Sequence, residues 1–222
     1  MTRFTFRSAL PSDIDILVEL EKRVESGLPC REMFAIDGPE FYEPIVAGAG
    51  HILLAFDEKN ALAGVSVVRY PAADDPENLG LELGFRRTDL LRVRHAESIF
   101  IRPDCGGHGL ASQLLHKNLG ITDSCERDLV LATIWPNNYA SLKLHLACGF
   151  QIRAFALKYG GKPRFVLLKE RGERRLSKAL DYVPATDFEA HKKILASGMI
   201  GTICRKDDSG SIWIGYRRSL PA

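Results

Sequence analysis

The 222-residue sequence has no apolar run near the roughly 18 residues of a membrane span, so no transmembrane helix is expected. Its opening, MTRFTFRSALPSDID, lacks the continuous apolar core of a secretory signal, and no signal peptide is expected either. Neither sign of charge dominates: 30 Lys and Arg stand against 28 Asp and Glu. The clustered basic excess of a nucleic-acid binder is missing, so neither nucleic acid nor membrane is expected as a partner. The five cysteines are odd in number and form no CxxC pair, which removes the usual zinc and dithiol patterns. Free thiols in a reducing cytoplasm are expected instead. His51, His116 and His191 have no companions at ligand spacing, so no metal site is expected. Internal repeats and low-complexity tracts are also absent.

What is present is ordinary soluble composition, 45% hydrophobic and 26% charged, enough for one sizeable core. Phe4 to Arg7 alternates as a short strand, and the Ile14, Leu17, Val18, Glu21 spacing predicts a helix ending before Gly27. Asp37 to Val46 holds a second helix, kept short by Pro39 and Pro44. HILLAF and ALAGVSVVRY, joined through Asp57 to Asn60, predict an antiparallel hairpin. Pro71 to Leu91 reads as a lid or binding loop with a short helix. Arg92 to Arg102 is a strand with Val93, His95, Glu97, Ile99 and Ile101 on one face and Ala96, Ser98 and Phe100 on the other.

Leu110, Leu114, Leu115 and Leu119 mark a helix that Gly120 ends, DLVLATIW a buried strand, and Asn138 the cap of a helix through Ala147. Strands near Gln151 to Tyr159 and Arg164 to Lys169 complete a mixed α/β order around one sheet. Lys169 to Arg175 carries six charges in seven residues and forms a seam. A helix over ATDFEAHKKILASG and a hairpin around an Asp-Ser-Gly turn are expected beyond it.

The densest glycine stretch, FIRPDCGGHGLASQLL, joins a strand to a helix, the place where backbone N–H groups face an anion most readily. A Walker A loop is excluded because no Gly-Lys-Ser/Thr follows, and the dinucleotide fingerprint because its third glycine slot is missing. A second stretch, ATIWPNNYASLKLHLACGF, lies about thirty residues downstream. Together the two resemble the core motifs of the GNAT superfamily of N-acetyltransferases. The first family motif, Arg or Gln, then Gly, then Gly or Ala, is matched at Gly109 and Ala111. The second is matched at Asn138, Ser141, Leu144, His145, Gly149 and Phe150.

The resemblance covers about Thr2 to Lys169. It implies a mostly antiparallel central sheet flanked by helices over residues 1–170, with 171–222 a C-terminal extension of open role. It also implies acetyl-CoA as co-substrate and acetyl transfer to a small-molecule or protein amine, by direct attack within a ternary complex. A non-catalytic acyl-CoA-binding module is the alternative. The pyrophosphate would lie against Gly106, Gly107, His108, Gly109, Leu110, Ala111 and Ser112, the pantetheine along Ile99, Phe100 and Ile101, with Asn138 and Ser141 also toward the cofactor. Gly106 stands where the family usually has Arg or Gln.

Acetyl transfer needs a neutral amine, a donor to the oxyanion and a proton for the thiolate. Glu97 is expected as base with His95 as partner or substitute, and by resemblance the N–H of Ile101 as oxyanion donor. His145 takes the place of the family's acidic tyrosine, its imidazolium able to protonate a thiolate. Tyr139 and Tyr159 are the fallback acids. Acceptor recognition is expected from Gly27 to Gly50 and Pro71 to Arg94, where Arg86, Arg87, Arg92 and Arg94 would favour an acidic acceptor. A homodimer is the assembly allowed for.

Overall fold

In chain order the elements of the computed structural model are β1 (Thr5–Ser8), α1 (Ile14–Ser26), α2 (Pro39–Pro44), β2 (Gly50–Phe56), β3 (Leu62–Arg69), α3 (Arg87–Leu90), β4 (Val93–Ile101), α4 (Leu110–Thr122), β5 (Leu129–Ile134), α5 (Tyr139–Ala147), β6 (Gln151–Lys158), β7 (Lys162–Lys169), β8 (Asp181–Pro184), α6 (Phe188–Ala196), β9 (Met199–Lys206) and β10 (Ile212–Arg218). The structure describes residues 3–28, 30, 36–123, 126–172 and 175–220. Cys125, residues 29 and 31–35 of the expected acceptor loop, and residues 173–174 of the charged seam lie outside the described residues. Two compact units emerge, residues 1–75 with 94–127 and residues 76–93 with 128–222. Antiparallel strands flanked by helices give the mixed α/β class expected from the sequence.

In the first unit β1, β2, β3 and β4 are neighbours in that order, every pair antiparallel. The pleat sends Ile52, Leu54, Val65, Val67 and Phe100 to one face, against Leu17, Val18 and Leu20 of α1 and Tyr42 of α2. Leu53, Ala55 and Ala63 go to the other face, with Leu110 and Leu114 of α4. Burial on both faces explains why these strands read as continuous apolar runs, and each fully buried aliphatic contributes about 1.5–3 kcal/mol. Asn118 fixes α4 to the sheet: fully buried, it donates from Nδ2 to the Ser66 carbonyl at 2.8 Å and accepts at Oδ1 from His51 Nδ1 at 2.7 Å.

The faces of β4 differ from the expected alternation. Val67 pairs with Ser98 but Val68 with Ala96, so Glu97 is the extra residue of a β-bulge. A bulge reverses the in-out sense of everything beyond it. His95 and Arg69 therefore share the α1 face with Ser98 and Phe100, whereas Ile99 and Ile101 turn to the α4 face. The single face expected to carry His95, Glu97, Ile99 and Ile101 does not exist.

In the second unit the strand order is β5-β7-β6-β9-β10-β8, again with antiparallel neighbours. The segment after the charged seam thus continues the sheet of β5, β6 and β7. The junction is tight, since a Cβ on Gly201 would come within 2.8 Å of Ile152 Cβ. Phe188 of α6 stacks on Phe155 with centroids 5.1 Å apart, and His191 meets Phe165 edge-on at 4.8 Å. The expected loop with a short helix is pinned at a few inner positions. Leu79 belongs to the core with Val93, Leu129, Leu131 and Val166, and Asn78, only 1% exposed, donates to the Leu90 carbonyl, while Leu81 and Leu91 stay exposed.

His191 is completely buried, its Nδ1 2.7 Å from the Tyr216 hydroxyl, and burial pushes its pKa below the ordinary value despite backbone contacts that oppose the shift. The folded chain resists this proton, whereas the unfolded chain accepts it below about pH 6.5. Its contribution to stability is therefore whole above that pH and declines below it. Between pH 7.5 and 5.5, His191→Gln should flatten the fall in Tm relative to wild type; identical slopes would contradict this.

Candidate active site

Pro103 ends β4, and the backbone then turns through Gly106 to Gly109 into α4. Gly107 has φ +77° and Gly109 φ +74°, in the left-handed region that L side chains rarely adopt, and neither has an atom within 4 Å of where a Cβ would stand. Glycine is thus required here for conformation and not for space. Gly106 differs, since φ −66° and ψ 160° suit any residue and a Cβ would lie 3.3 Å from the Pro103 carbonyl oxygen. Arg102 holds the entry, its guanidinium reaching Asp57 at 2.6 Å, Asp104 at 2.7 Å and the Leu62 carbonyl at 3.1 Å.

α4 opens on Gly109 with no side-chain cap, whereas α5 is capped by Asn138 and α6 by Asp187. The first N–H groups of a helix lack intrahelical partners and carry the positive end of its dipole. Leu110, Ala111 and Ser112 present such groups, and His108 is exposed within the turn. Just past β4, Arg102 N–H donates to the Ala63 carbonyl at 2.8 Å. Successive amides of an antiparallel strand point to opposite sides, so the N–H of Ile101 points away from β3.

On the α1 face of the first unit lies a dense polar cluster. Arg69 of β3 donates from Nε to Glu97 Oε1 at 2.6 Å and from Nη1 to Asp75 Oδ2 at 2.6 Å. His95, 1% exposed, places Nδ1 3.1 Å from Glu97 Oε1. Burial pushes the Glu97 pKa up, but His95 and then Arg69 outweigh it and hold the carboxyl below its usual range. From α1, the fully buried Glu21 accepts at Oε1 from the Tyr42 hydroxyl at 2.6 Å and from Asp37 N–H at 3.0 Å. Burial, then the charges of Glu21 and Glu97, raise the Asp37 pKa to about 7, against a hydrogen bond from Ser98 and the charge of Arg69.

In the second unit, Asn138 Oδ1 accepts from Ser141 N–H at 3.1 Å, so that oxygen serves the helix cap. His145 is 5% exposed, edge-on to Phe150, with Nδ1 2.9 Å from the Ser141 carbonyl oxygen. A carbonyl only accepts, so Nδ1 carries the hydrogen, and burial lowers the pKa of the ring. At neutral pH Nε2 then holds a lone pair and not a proton, contrary to the imidazolium expected from the sequence. Tyr159, φ +52° and 51% exposed, has its hydroxyl 3.0 Å from Thr133 Oγ1.

The model of the acetyltransferase (GNAT) family matches residues 19–150. The chain belongs to the GNAT acetyltransferase family. It is 31% identical over 115 residues to the L-amino acid N-acyltransferase MnaT of Escherichia coli (strain K12), a match covering 49% of this chain. The chain spans 63% of that curated relative's length. Among solved structures, yncA of Salmonella typhimurium, determined with its cofactor acetyl-CoA, shares the fold at TM-score 0.59 and 18% identity, over 80% of this chain and 99% of that one. A GNAT superfamily phosphinothricin acetyltransferase of Sinorhizobium meliloti, in complex with acetyl-CoA, does so at TM-score 0.54 and 19% identity, over 77% and 89%.

In this GNAT chain the structure brings Glu97 and His95 together and keeps Gly106 to Ser112 as one turn and helix start. It places Asn138, Ser141 and His145 along α5 in the other unit. Of the arginines expected to favour an acidic acceptor, Arg92 is exposed and ion-paired, whereas Arg94 is buried. Arg92 pairs with Asp128 at 2.9 Å, and Arg94, 3% exposed, meets Thr122 and Asp123. Sequence reasoning missed Glu21, Asp37, Tyr42 and Arg69. The signal for Glu21 was present, a carboxylate on the apolar stripe of a helix, where an unpartnered charge is never harmless. Among the described residues no group of His, Cys, Asp and Glu fit to hold a metal ion is found, and no helix is long and apolar enough to cross a membrane.

Proposed function

We propose that this chain is an N-acetyltransferase that moves the acetyl group of acetyl-CoA to a primary amine by direct attack in a ternary complex. The observation that carries the reading is the uncapped start of α4 behind two left-handed glycines, a fan of amides suited to a pyrophosphate. Acetyl-CoA-bound relatives of the same fold support it. In this reading Gly106 to Ser112 hold the pyrophosphate. Ile99 to Ile101 line the pantetheine, and the Ile101 N–H donates to the oxyanion. Proton removal from the amine falls to the carboxylates of the α1 face, where Glu97 and His95 supply fixed negative charge and order. With His145 neutral, the imidazolium expected as the acid is not on hand. The relative's name puts L-amino acids first among acceptors to try. A cytoplasmic location and a homodimer belong to the same proposal, the latter open to light scattering.

The test is free-thiol release from acetyl-CoA with a panel of amines, read beside cofactor binding by calorimetry. Amine-dependent release is expected; binding without release on any amine would favour a non-catalytic acyl-CoA module. Because Gly106 has ordinary dihedrals, Gly106→Gln should fold normally and tighten acetyl-CoA binding several-fold through an added amide donor. Unchanged or weaker binding would remove position 106 from the phosphate site.

A further inference from the structure

We propose that Asp37 is the group that takes the proton from the acceptor ammonium, with Glu21 and Tyr42 as its mounting, an inference that rests on the acetyl-transfer reading above. Glu21 is buried on α1, one of its oxygens bound by Tyr42 and by the Asp37 backbone, while its Oε2 has no hydrogen-bond partner among the described residues. The Glu21 side chain is thereby held beside Asp37, and its charge is one of those that raise the Asp37 pKa. Asp37 is itself half-buried, and its carboxylate accepts from Ser98 of β4. Ser98 is two residues from Phe100, on the strand expected to line the thioester end of the cofactor.

The charged and titratable groups around Asp37 are Glu21 from α1, Tyr42 from α2, Arg69 from β3, Asp75 beyond it, and His95 and Glu97 from β4. Two carboxylates, Glu21 and Glu97, act on Asp37 against the single guanidinium of Arg69. Glu97 is held ionised by His95 and Arg69 and lies below the range useful for a base at neutral pH. Asp37 lies near 7, where a general base is most effective.

The ammonium gives one proton to the Asp37 carboxylate, and the neutral amine adds to the thioester carbonyl, forming the C–N bond. Collapse breaks the C–S bond, the thiolate leaves, and the surplus proton on nitrogen passes to it, giving amide and thiol. Asp37 then returns its proton to water.

The experiment measures thiol release from acetyl-CoA against pH with L-amino acids and aliphatic diamines, for wild type, Asp37→Asn and Glu21→Gln, with acetyl-CoA binding by calorimetry. Wild-type kcat/KM should rise with pH through a limb near 7. Asp37→Asn should lose about 100-fold in kcat/KM together with that limb, at unchanged acetyl-CoA affinity. Glu21→Gln keeps both hydrogen bonds but removes the charge, so its limb should move to lower pH, a readout that a merely structural role would not shift. Release by wild type with an unmoved limb in either variant would overturn the role of Asp37 and leave acetyl transfer standing. Should Asp37→Asn fail to fold, the Glu21→Gln limb alone decides. Cofactor binding by wild type with no release on any amine would overturn the acetyl-transfer reading, and Asp37 with it.

Discussion

Gly109→Val is expected to weaken acetyl-CoA binding at least tenfold, measured by calorimetry, and to lower Tm. Position 109 has φ +74° where α4 begins. A β-branched residue there is strained by roughly 1–2 kcal/mol or more, and the chain escapes only by rotating the peptide planes on either side. Those planes carry the N–H groups proposed to hold the pyrophosphate, so relief of strain and loss of binding would be one event. A loss of tenfold corresponds to about 1.4 kcal/mol, within reach of the strain alone. Gly106→Gln is the matched control, because it adds a side chain in the same turn without a left-handed backbone. Full affinity in Gly109→Val would show that the turn does not hold the cofactor.

Arg69→Leu should lower Tm by about 5–10 °C and cut turnover, with much of the stability regained by the double variant Arg69→Leu/Glu97→Gln. Arg69 and Glu97 are 23% and 19% exposed and 2.6 Å apart, so loss of the guanidinium strands a carboxylate with little access to water. Breaking a fully buried pair costs about 3–5 kcal/mol; partial exposure here brings this to roughly 2–3, and each kcal/mol is worth about 2–4 °C in a chain of this size. The second substitution removes the stranded charge, which is why stability returns while activity does not. Additive losses in the double variant would mean that the two side chains are not coupled.

The element order of the first 170 residues was legible because each helix carries its stripe and each strand its apolar run. The two motifs pointed to the family on the strength of Gly109, Ala111 and the Asn138 to Phe150 spacing. The faces of β4 were not legible, since one extra residue at Glu97 reverses the alternation and no composition rule announces a bulge. β8 was missed because four residues ending in Pro184 give too little periodicity to read. The polar cluster was only half visible. Glu97 and His95 stood out on a strand, but Arg69 looked like the end of an apolar run, and Asp37 depends on a loop and a helix meeting β4 through the fold.

The last strand has a further consequence for how the chain avoids its neighbours. A sheet that stopped at β6 would offer the raw edge of an eight-residue strand to any other extended peptide. Here β9 pairs with β6 at Ile152 and Gly201, Phe188 of α6 stacks on Phe155, and the boundary passes through β10 to β8, only four residues long and closed by Pro184, which has no amide hydrogen to donate. Residues 171–222 thus end the sheet in a strand too short to recruit another, a guard against aggregation that works even with the catalytic machinery idle.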